Sequence, residues 1–228
     1  MEFPTLIIDN FFEYPDKVLE FANTLEYFPD ENATWPGKRS DPLHKVNREL
    51  FDYICLKIYR IFYPNGVDSY KTSMTFQYIE PHAFDNEGWI HQDKAQFGGI
   101  IYLTKDPEVG TGTSLYKPKR GWFNTYSYEA MTSSERHFRK TRSYPDAYKD
   151  KFDKDAYENV KKFYDDSFEE TVRVENIYNR LFMFSGTNYH GVPNFGTKPR
   201  LTLAFFGKGI IDEVREPLSR GAGWWKHL

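Results

Sequence analysis

The first third of the chain places hydrophobic residues at helical spacing. Before this helical pattern begins, a short apolar run predicts a strand at residues 5–8. Pro15 stands where a helix accepts a proline in its first turn. Apolar residues follow it at intervals of three and four, at Val18, Phe21, Ala22 and Leu25. A second amphipathic pattern runs over about 46–62 and ends at the Pro-Asn-Gly turn of residues 64–66. We therefore expect one strand and two helices in this part.

After residue 66 the pattern changes to short apolar runs bounded by turn residues. These runs are rich in β-branched and aromatic residues, and they predict strands at 73–79, 97–103, 113–116, 172–178, 180–185 and 200–206. Short strands in succession are typical of a sandwich or barrel with helices packed outside it. We therefore predict a mainly β fold with flanking helices, and a single domain over residues 1–228.

Residues 117–170 differ from the rest of the β-rich part. Lysines and arginines nearly equal the acidic residues here, and aromatic residues are spread among them. The spacing of Tyr148, Phe152 and Tyr157 indicates helix rather than strand. We predict a helical insertion packed on the β-core. A lid over the mouth of the core is the alternative, since long insertions often carry substrate contacts. A nucleic-acid groove is the least favoured interpretation.

Composition excludes several classes of protein. Of the 228 residues, 39% are hydrophobic and 18% aromatic, which argues against disorder. A formal net charge of −3 offers no field that would attract nucleic acid or an anionic membrane. The single cysteine cannot form an internal disulfide. With no signal-peptide pattern and no apolar run of about 18 residues, we expect a soluble, cytoplasmic protein.

The candidate chemistry begins at His91 and Asp93. Side chains at i and i+2 of an extended chain point the same way, so an imidazole and a carboxylate converge there. Such a pair occurs by chance, and alone it is equally compatible with an ordinary surface histidine. His190 changes the argument, because it follows an apolar strand and precedes Arg200 by ten positions. Two imidazoles and one carboxylate make the facial triad that leaves open positions on Fe(II).

Five motifs then occur in order along the chain. They are His-x-Asp at 91–93, Gly-Gly-Ile-Ile-Tyr-Leu-Thr at 98–104, Gly-Thr-Ser-Leu-Tyr at 112–116, Arg-Leu-Phe-Met-Phe-Ser-Gly-Thr-Asn-Tyr-His at 180–190 and Pro-Arg-Leu-Thr-Leu at 199–203. This order resembles the double-stranded β-helix, or jelly-roll, core of the Fe(II)/2-oxoglutarate-dependent dioxygenases. Within that superfamily it is most similar to the prolyl-hydroxylase-like branch. The matching blocks cover about residues 78–206, interrupted by the insertion.

The resemblance implies a role for each matching residue. His91, Asp93 and His190 would ligate the iron, and Arg200 would bind the C5 carboxylate of 2-oxoglutarate. Three further residues are candidate co-substrate contacts, namely Tyr102, Thr202 and Tyr78. Thr202 lies two residues after Arg200, on the same strand face. For these three residues ordinary strand packing is the alternative interpretation. Fe(II), 2-oxoglutarate and dioxygen are the implied cofactor and co-substrates.

The resemblance also limits the reaction and the substrate. Halogenating relatives replace the metal-binding carboxylate with a small residue, whereas Asp93 is present here, so hydroxylation is expected. The implied substrate is a prolyl or other residue of a peptide or protein. A free amino acid or small metabolite is the first alternative, and a nucleobase is disfavoured by the net charge. A non-catalytic β-sandwich module and a cupin-type metal protein with another reaction are the remaining alternatives, and the oligomeric state stays open.

Overall fold

The N-terminal part of the protein forms helices that cover one sheet. The structure, a computed structural model, describes residues 3–29, 37–81, 88, 90–119, 162 and 166–211. This part contains β1 (Leu6–Ile8), α1 (Pro15–Asn23), β2 (Lys38–Arg39), α2 (Leu43–Val46) and α3 (Arg48–Phe62). The helix predicted at about 46–62 is α3, which begins at Arg48, and the short helix α2 before it was not predicted. The side chain of Asn47 accepts a hydrogen bond from the backbone N–H of Leu50 at 2.9 Å, which caps α3.

The remaining strands form two antiparallel sheets. They are β3 (Ser69–Ile79), β4 (Phe97–Tyr102), β5 (Thr113–Pro118), β6 (Phe168–Val174), β7 (Leu181–Ser185), β8 (Tyr189–Gly191) and β9 (Arg200–Ile211). One sheet has six strands in the order β1-β7-β4-β9-β3-β2, and the other has three in the order β6-β5-β8. Consecutive neighbours in both sheets are far apart in the chain, as expected of a jelly roll rather than a meander.

The six-stranded sheet buries both of its faces. One face packs against α1 and α3 in a core that includes Ile54, Ile58, Phe62, Phe97 and Phe205. The opposite face packs against the three-stranded sheet in a smaller core of Tyr102, Leu115, Val174, Phe182 and Phe184. The predicted mainly β class with flanking helices and a jelly-roll core is confirmed. Within the described residues, no helix is both long and apolar enough to cross a membrane.

Two sequence-based expectations need correction, namely the bounds of one strand and those of the insertion. The strand predicted at 172–178 is β6, which begins earlier and ends at Val174, because its pairing with β5 runs from Phe168↔Pro118 to Val174↔Thr113. Its first residues therefore belong to the segment predicted as an insertion, as do the last two of β5. The three-residue strand β8 was not predicted. The helical and lid interpretations of 117–170 concern residues that lie mostly outside the described part.

Candidate functional site

Two histidines and an aspartate meet at the mouth of the jelly roll. His91 and His190 lie opposite each other, and each backbone N–H donates to the carbonyl of the other at 2.9 Å. Their ring centres are 4.3 Å apart. Asp93 lies between them, with Oδ1 3.7 Å from Nε2 of His91 and Oδ2 3.4 Å from Nε2 of His190. One candidate ligand atom from each of the three side chains falls within 4.8 Å of the others.

The surroundings of His190 set which ring nitrogen faces the cluster. Its Nδ1 lies 3.0 Å from the carbonyl oxygen of Asn188, which favours the tautomer that carries the proton on Nδ1. The lone pair of Nε2 then points at the cluster, as a metal ligand requires. The ring of Phe184 packs 4.4 Å away and holds the imidazole in place. The backbone of Asn188, rather than its side chain, makes this contact.

A hydrogen bond fixes the two halves of the cluster to each other. The side-chain Nε2 of Gln92 donates to the carbonyl of Thr187 at 2.5 Å. Gln92 separates His91 from Asp93, and Thr187 lies in the turn before His190. One short hydrogen bond therefore links the segment that carries His91 and Asp93 to the turn that precedes His190. This bond gives Gln92 a positioning role.

Asp93 carries the strongest indication of a missing ligand. Its Oδ2 is buried and has no hydrogen-bond partner within the described residues, although the His190 ring is close. A buried carboxylate oxygen without a partner is costly unless a cation or a donor completes it. Two imidazole nitrogens and a carboxylate suit a divalent iron, which takes such a set in a facial arrangement. The donor set and the incomplete oxygen therefore fit the iron that the resemblance implies.

A second group of polar residues lies deeper on the same sheet face. In the strand register Tyr102 of β4 stands opposite Thr202 of β9, and Arg200 lies two residues before Thr202 on the same face. Arg200 is 3% exposed, and Tyr102 and Thr202 are fully buried. The Tyr102 hydroxyl donates to Oγ1 of Thr113 in the facing sheet at 3.0 Å. The structure thus brings three of the four predicted co-substrate residues together between the sheets.

The charge of Arg200 is incompletely compensated in this interior. Its guanidinium carbon lies 5.4 Å from the ring centre of Tyr102, within reach of a cation–π contact. Its Nε and Nη2, and the hydroxyl of Thr202, have no hydrogen-bond partner in the described part of the chain. Burial lowers the pKa of Arg200, and burial likewise raises the pKa of Tyr102. A buried guanidinium with free donors beside two hydroxyls is complementary to a carboxylate, so these residues fit the distal end of 2-oxoglutarate.

Tyr78 does not join this group. It stands opposite Leu201 in the register, on the helix-facing side of the sheet, and its ring packs 5.9 Å from that of Tyr27. Gln77 takes the position that Tyr78 was expected to hold, because it is buried and pairs with Thr202 across β3 and β9. Sequence reasoning missed Gln77. The alternation of Met74, Phe76 and Tyr78 with Ser73, Thr75 and Gln77 was the signal, since the apolar set faces the helices.

Solved structures with a similar fold are 2-oxoglutarate oxygenases. Matching solved structures include HygX from Streptomyces hygroscopicus with nickel and 2-oxoglutarate bound, at 12% identity and a TM-score of 0.53, over 90% of this chain and 82% of that one. HygX with hygromycin B also bound gives 11% identity and a TM-score of 0.52, with the same coverage. A Pseudomonas putida prolyl-4-hydroxylase matches at 12% identity and a TM-score of 0.45, over 90% and 91% of the two chains. The chain has the jelly-roll fold of the 2-oxoglutarate oxygenases.

The sequence comparison places the chain in a family without an assigned activity. Residues 2–193 match the model of DUF6445, described as a family of unknown function, and the chain belongs to that family. A search of the curated proteins finds no match. At 11–12% identity the likeness to the solved structures extends to the fold. The chemistry must therefore be argued from this chain's own residues.

Proposed function

We propose that the protein is a non-haem Fe(II)- and 2-oxoglutarate-dependent dioxygenase that hydroxylates an organic substrate. The observation that carries this proposal is the cluster of His91, Asp93 and His190, with ligand atoms within 4.8 Å and a buried Asp93 oxygen that lacks a partner among the described residues. A non-catalytic sandwich has no need for such a cluster, and it would have to bear the cost of the unpartnered carboxylate. The iron would be held by Nε2 of both histidines and by the carboxylate.

The buried arginine separates this proposal from a cupin-type metal protein. Arg200 lies on the same interior face as the row of Thr202 and Tyr102, and its Nε and Nη2 lack partners among the described residues. A metal protein with another reaction gives this charge no task. As a co-substrate clamp, Arg200 would pair with the C5 carboxylate in a charge-assisted contact, and the hydroxyl of Thr202, which has no partner among the described residues, would donate a further hydrogen bond. Tyr102, whose hydroxyl donates to Thr113, would pack beside the guanidinium.

Each group in the site has a separable task in the proposed reaction. The bound iron and 2-oxoglutarate would supply the oxidising chemistry, with release of succinate and carbon dioxide and transfer of one oxygen atom of dioxygen to the substrate. His190 is held by the Asn188 carbonyl, so its Nε2 stays available as a ligand. Phe184 packs against His190 and against Phe182, so the interior side of the cluster is apolar. The Gln92 bond keeps the ligand-bearing loops in register.

The substrate that we propose is a prolyl or other residue of a peptide or protein. Its support is the resemblance of the sequence motifs to the prolyl-hydroxylase-like branch. A small metabolite or free amino acid is the second candidate, favoured by the structure of HygX with hygromycin B, a fold match with a TM-score of 0.52. Both substrates require the same iron site and the same arginine, so the two candidates share the first test.

The first test is an anaerobic titration of the purified apo-protein with Fe(II) and 2-oxoglutarate, followed by visible absorption. Wild type should develop the charge-transfer band of the iron–2-oxoglutarate chelate, and His91→Ala should lose it. His44→Ala is the matched control, because His44 lies on α2 with its ring against Phe51, away from the cluster. Iron binding without the band in wild type would reject the co-substrate assignment.

The second test separates the two substrate candidates. Wild type with Fe(II), 2-oxoglutarate and dioxygen is incubated with a set of proline-containing peptides, and in parallel with free amino acids. Mass spectrometry reports the gain of one oxygen atom in the substrate, and succinate is measured as the coupled product. Oxygen gain in a peptide alone supports the primary candidate. Gain in the small molecules alone selects the second, and Asp93→Ala should abolish either one.

A further inference from the structure

An open cleft adjoins the proposed metal site. It has a volume of about 550 Å³ and lies between the loop of residues 93–96 and the end of β9, residues 208–211. Asp93 contributes to its lining, so the cleft reaches the side chain that would ligate the iron. A substrate group placed there would lie beside the reacting centre. A group bound in this cleft would therefore lie close enough to the proposed metal site to contribute to substrate selection.

The walls of this cleft are held in a defined position. Gln96 donates from its backbone N–H to the Gly207 carbonyl at 2.8 Å. Its side chain accepts from the Ile210 N–H at 2.7 Å and donates to the Ile210 carbonyl at 3.4 Å. One glutamine thus joins the metal-binding loop to the end of β9. The backbone that carries the charged side chains of both walls is therefore held at a fixed distance from Asp93.

Lysines dominate the charge around the cleft. Lys94 and Lys208 belong to its lining, and Asp93 is the one acidic residue there among the described residues. Lys71 of β3 stands directly opposite Lys208 in the register. Alternation along β9 puts Lys208 on the same face as Arg200, which is the face that carries the site. Neither Lys71 nor Lys208 forms an ion pair within the part that the structure describes.

Protection of a sheet edge does not explain this pair. Lysines on edge strands discourage unwanted pairing between sheets, and the first half of β3 is such an edge. Lys208, however, belongs to β9, which is hydrogen-bonded to β3 on one side and to β4 on the other. Like charges directly opposite each other destabilise a sheet. A bound anion between them would convert this repulsion into attraction.

We propose that the substrate is anionic, and that it presents a carboxylate or phosphate beside the oxidised position to Lys71 and Lys208. This inference rests on the proposed function and names the substrate class of the same site. Lysine ammonium groups act as point charges and accept either anion without a fixed geometry. In a peptide substrate the anion would be an acidic or phosphorylated residue next to the oxidised one.

The test compares short peptides that differ only in charge. Each contains a central proline flanked on both sides by glutamate, phosphoserine, glutamine or lysine. Binding is measured by calorimetry to the apo-protein and to the protein with Fe(II) and 2-oxoglutarate under argon, where no turnover occurs. We expect the glutamate or the phosphoserine peptide to bind on the order of tenfold more tightly than the glutamine peptide at low salt. Added salt should reduce this difference.

Charge reversal on the protein completes the design. Lys71→Glu with Lys208→Glu should abolish the preference for the anionic peptide and favour the lysine peptide. Lys45→Glu is the matched control, because Lys45 is an exposed residue of α2 outside the cleft, and it should retain the preference. The glutamate and phosphoserine arms show which anion is recognised. Thermal melts check that each variant is folded.

The outcomes separate this inference from the proposed function. Equal affinity for all four peptides, or a preference that survives charge reversal, overturns the anionic substrate. Oxidation of the glutamine peptide at the rate of the glutamate peptide does the same, while it leaves the dioxygenase proposal standing. A lysine-dependent preference in the apo-protein without any iron–2-oxoglutarate band supports the anion site and rejects the proposed reaction.

Discussion

A β-carbon at Gly98 would lie 2.8 Å from Oδ2 of Asp93, closer than real β-carbons approach any heavy atom. Gly98 lies on β4, on the face that carries Tyr102, and the carboxylate occupies the space that a side chain would fill. A glycine here allows the carboxylate to lie against the sheet and to turn Oδ2 toward His190. The close approach of Asp93 therefore explains why the first residue of the Gly-Gly pair in this strand is a glycine.

This relationship predicts that Gly98→Ala weakens metal binding. The added methyl group should push the Asp93 carboxylate away from the two imidazoles, with a loss of about 10- to 100-fold in Fe(II) affinity, as for other disturbances of ligand orientation. Competitive titration against a chromogenic chelator measures the affinity. Ile100→Val, two residues along the same face, is the control that should retain it. Unchanged affinity in Gly98→Ala would show that the carboxylate does not depend on this contact.

Arg200 makes a prediction about stability as well as binding. Because its charge is buried with Nε and Nη2 lacking partners in the described structure, Arg200→Met should raise the free energy of unfolding of the ligand-free protein by about 1 kcal/mol or more. Wild type should gain about 2.7 kcal/mol at 2-oxoglutarate concentrations 100 times its dissociation constant, and the variant should gain none. Denaturant titration with and without the co-substrate, in the presence of metal, measures both effects.

Arg180 supplies the matched comparison for that experiment. It is mostly buried, and its Nε and Nη2 both bind the Asp9 carboxylate, at 2.5 and 2.9 Å. Arg180→Met should therefore destabilise the protein, since it leaves the partner of a charge-assisted pair behind. It should leave the response to 2-oxoglutarate intact. Equal destabilisation by the two substitutions would contradict the view that Arg200 waits for a ligand.

Asn179 is predicted to lock the N-terminal segment to the sheet. Its backbone φ is 64°, in the left-handed region, and its side chain both accepts from and donates to the backbone of Phe12, at 2.8 and 2.9 Å. Asn179→Ala should cost about 2–4 kcal/mol, because it breaks two buried hydrogen bonds and strains the backbone. Asn179→Gly should cost about 1–2 kcal/mol less, since glycine tolerates this φ. If Asn179→Ala and Asn179→Gly lower the free energy of unfolding in urea by the same amount, backbone strain does not contribute to the loss in Asn179→Ala.

The Asp9–Arg180 pair predicts a pH effect on stability. The hydrogen bond from Arg180 is the main cause that lowers the pKa of Asp9. A lowered pKa in the folded state means that the stabilisation is present above the unfolded pKa and disappears as the pH falls through the folded one. Asp9→Asn should therefore lower the free energy of unfolding at neutral pH by less than about 1 kcal/mol, because Asp9 is half exposed. This difference from wild type should vanish in acid.

Denaturant unfolding at several pH values between neutrality and strong acid checks this expectation. Asp41→Asn is the control, since Asp41 is exposed and has no ion pair within the described residues. It reports the effect of an Asp-to-Asn substitution where no such ion pair is lost. An Asp9→Asn difference that grows on acidification would have the wrong sign for a carboxylate stabilised by Arg180.

The local elements followed from the sequence to different degrees. Strand β4, predicted at 97–103, ends within one residue of the prediction, because a turn and a buried apolar run define it locally. The strand predicted at 172–178 was displaced, since apolar residues recur up to Ile177 and Tyr178 and no turn residue marks an end at Val174. Pairing with β5, more than 50 residues away in the chain, decides that end at Val174.

The residues of the candidate site also differ in how far the sequence alone predicts them. The types and order of His91, Asp93, His190 and Arg200 are visible in the sequence, because metal and carboxylate chemistry restricts the residues that can serve. The assignment of Tyr78 rather than Gln77 depended on strand parity, and the register of β3 with β9 places Gln77 next to Thr202. A strand has a period of two, so a shift of one residue moves a side chain to the other face.

By itself, the sequence determined the mainly β class, most of the elements and the identity of the candidate metal and carboxylate ligands. Periodicity and residue chemistry are local properties, and they can be read without knowing which strands are neighbours. Only the tertiary structure decided that Lys71 faces Lys208, that Gly98 makes room for Asp93 and that Arg200 is buried with Nε and Nη2 lacking partners among the described residues. Such relationships depend on strand register and on packing between elements, which no local pattern along the chain encodes.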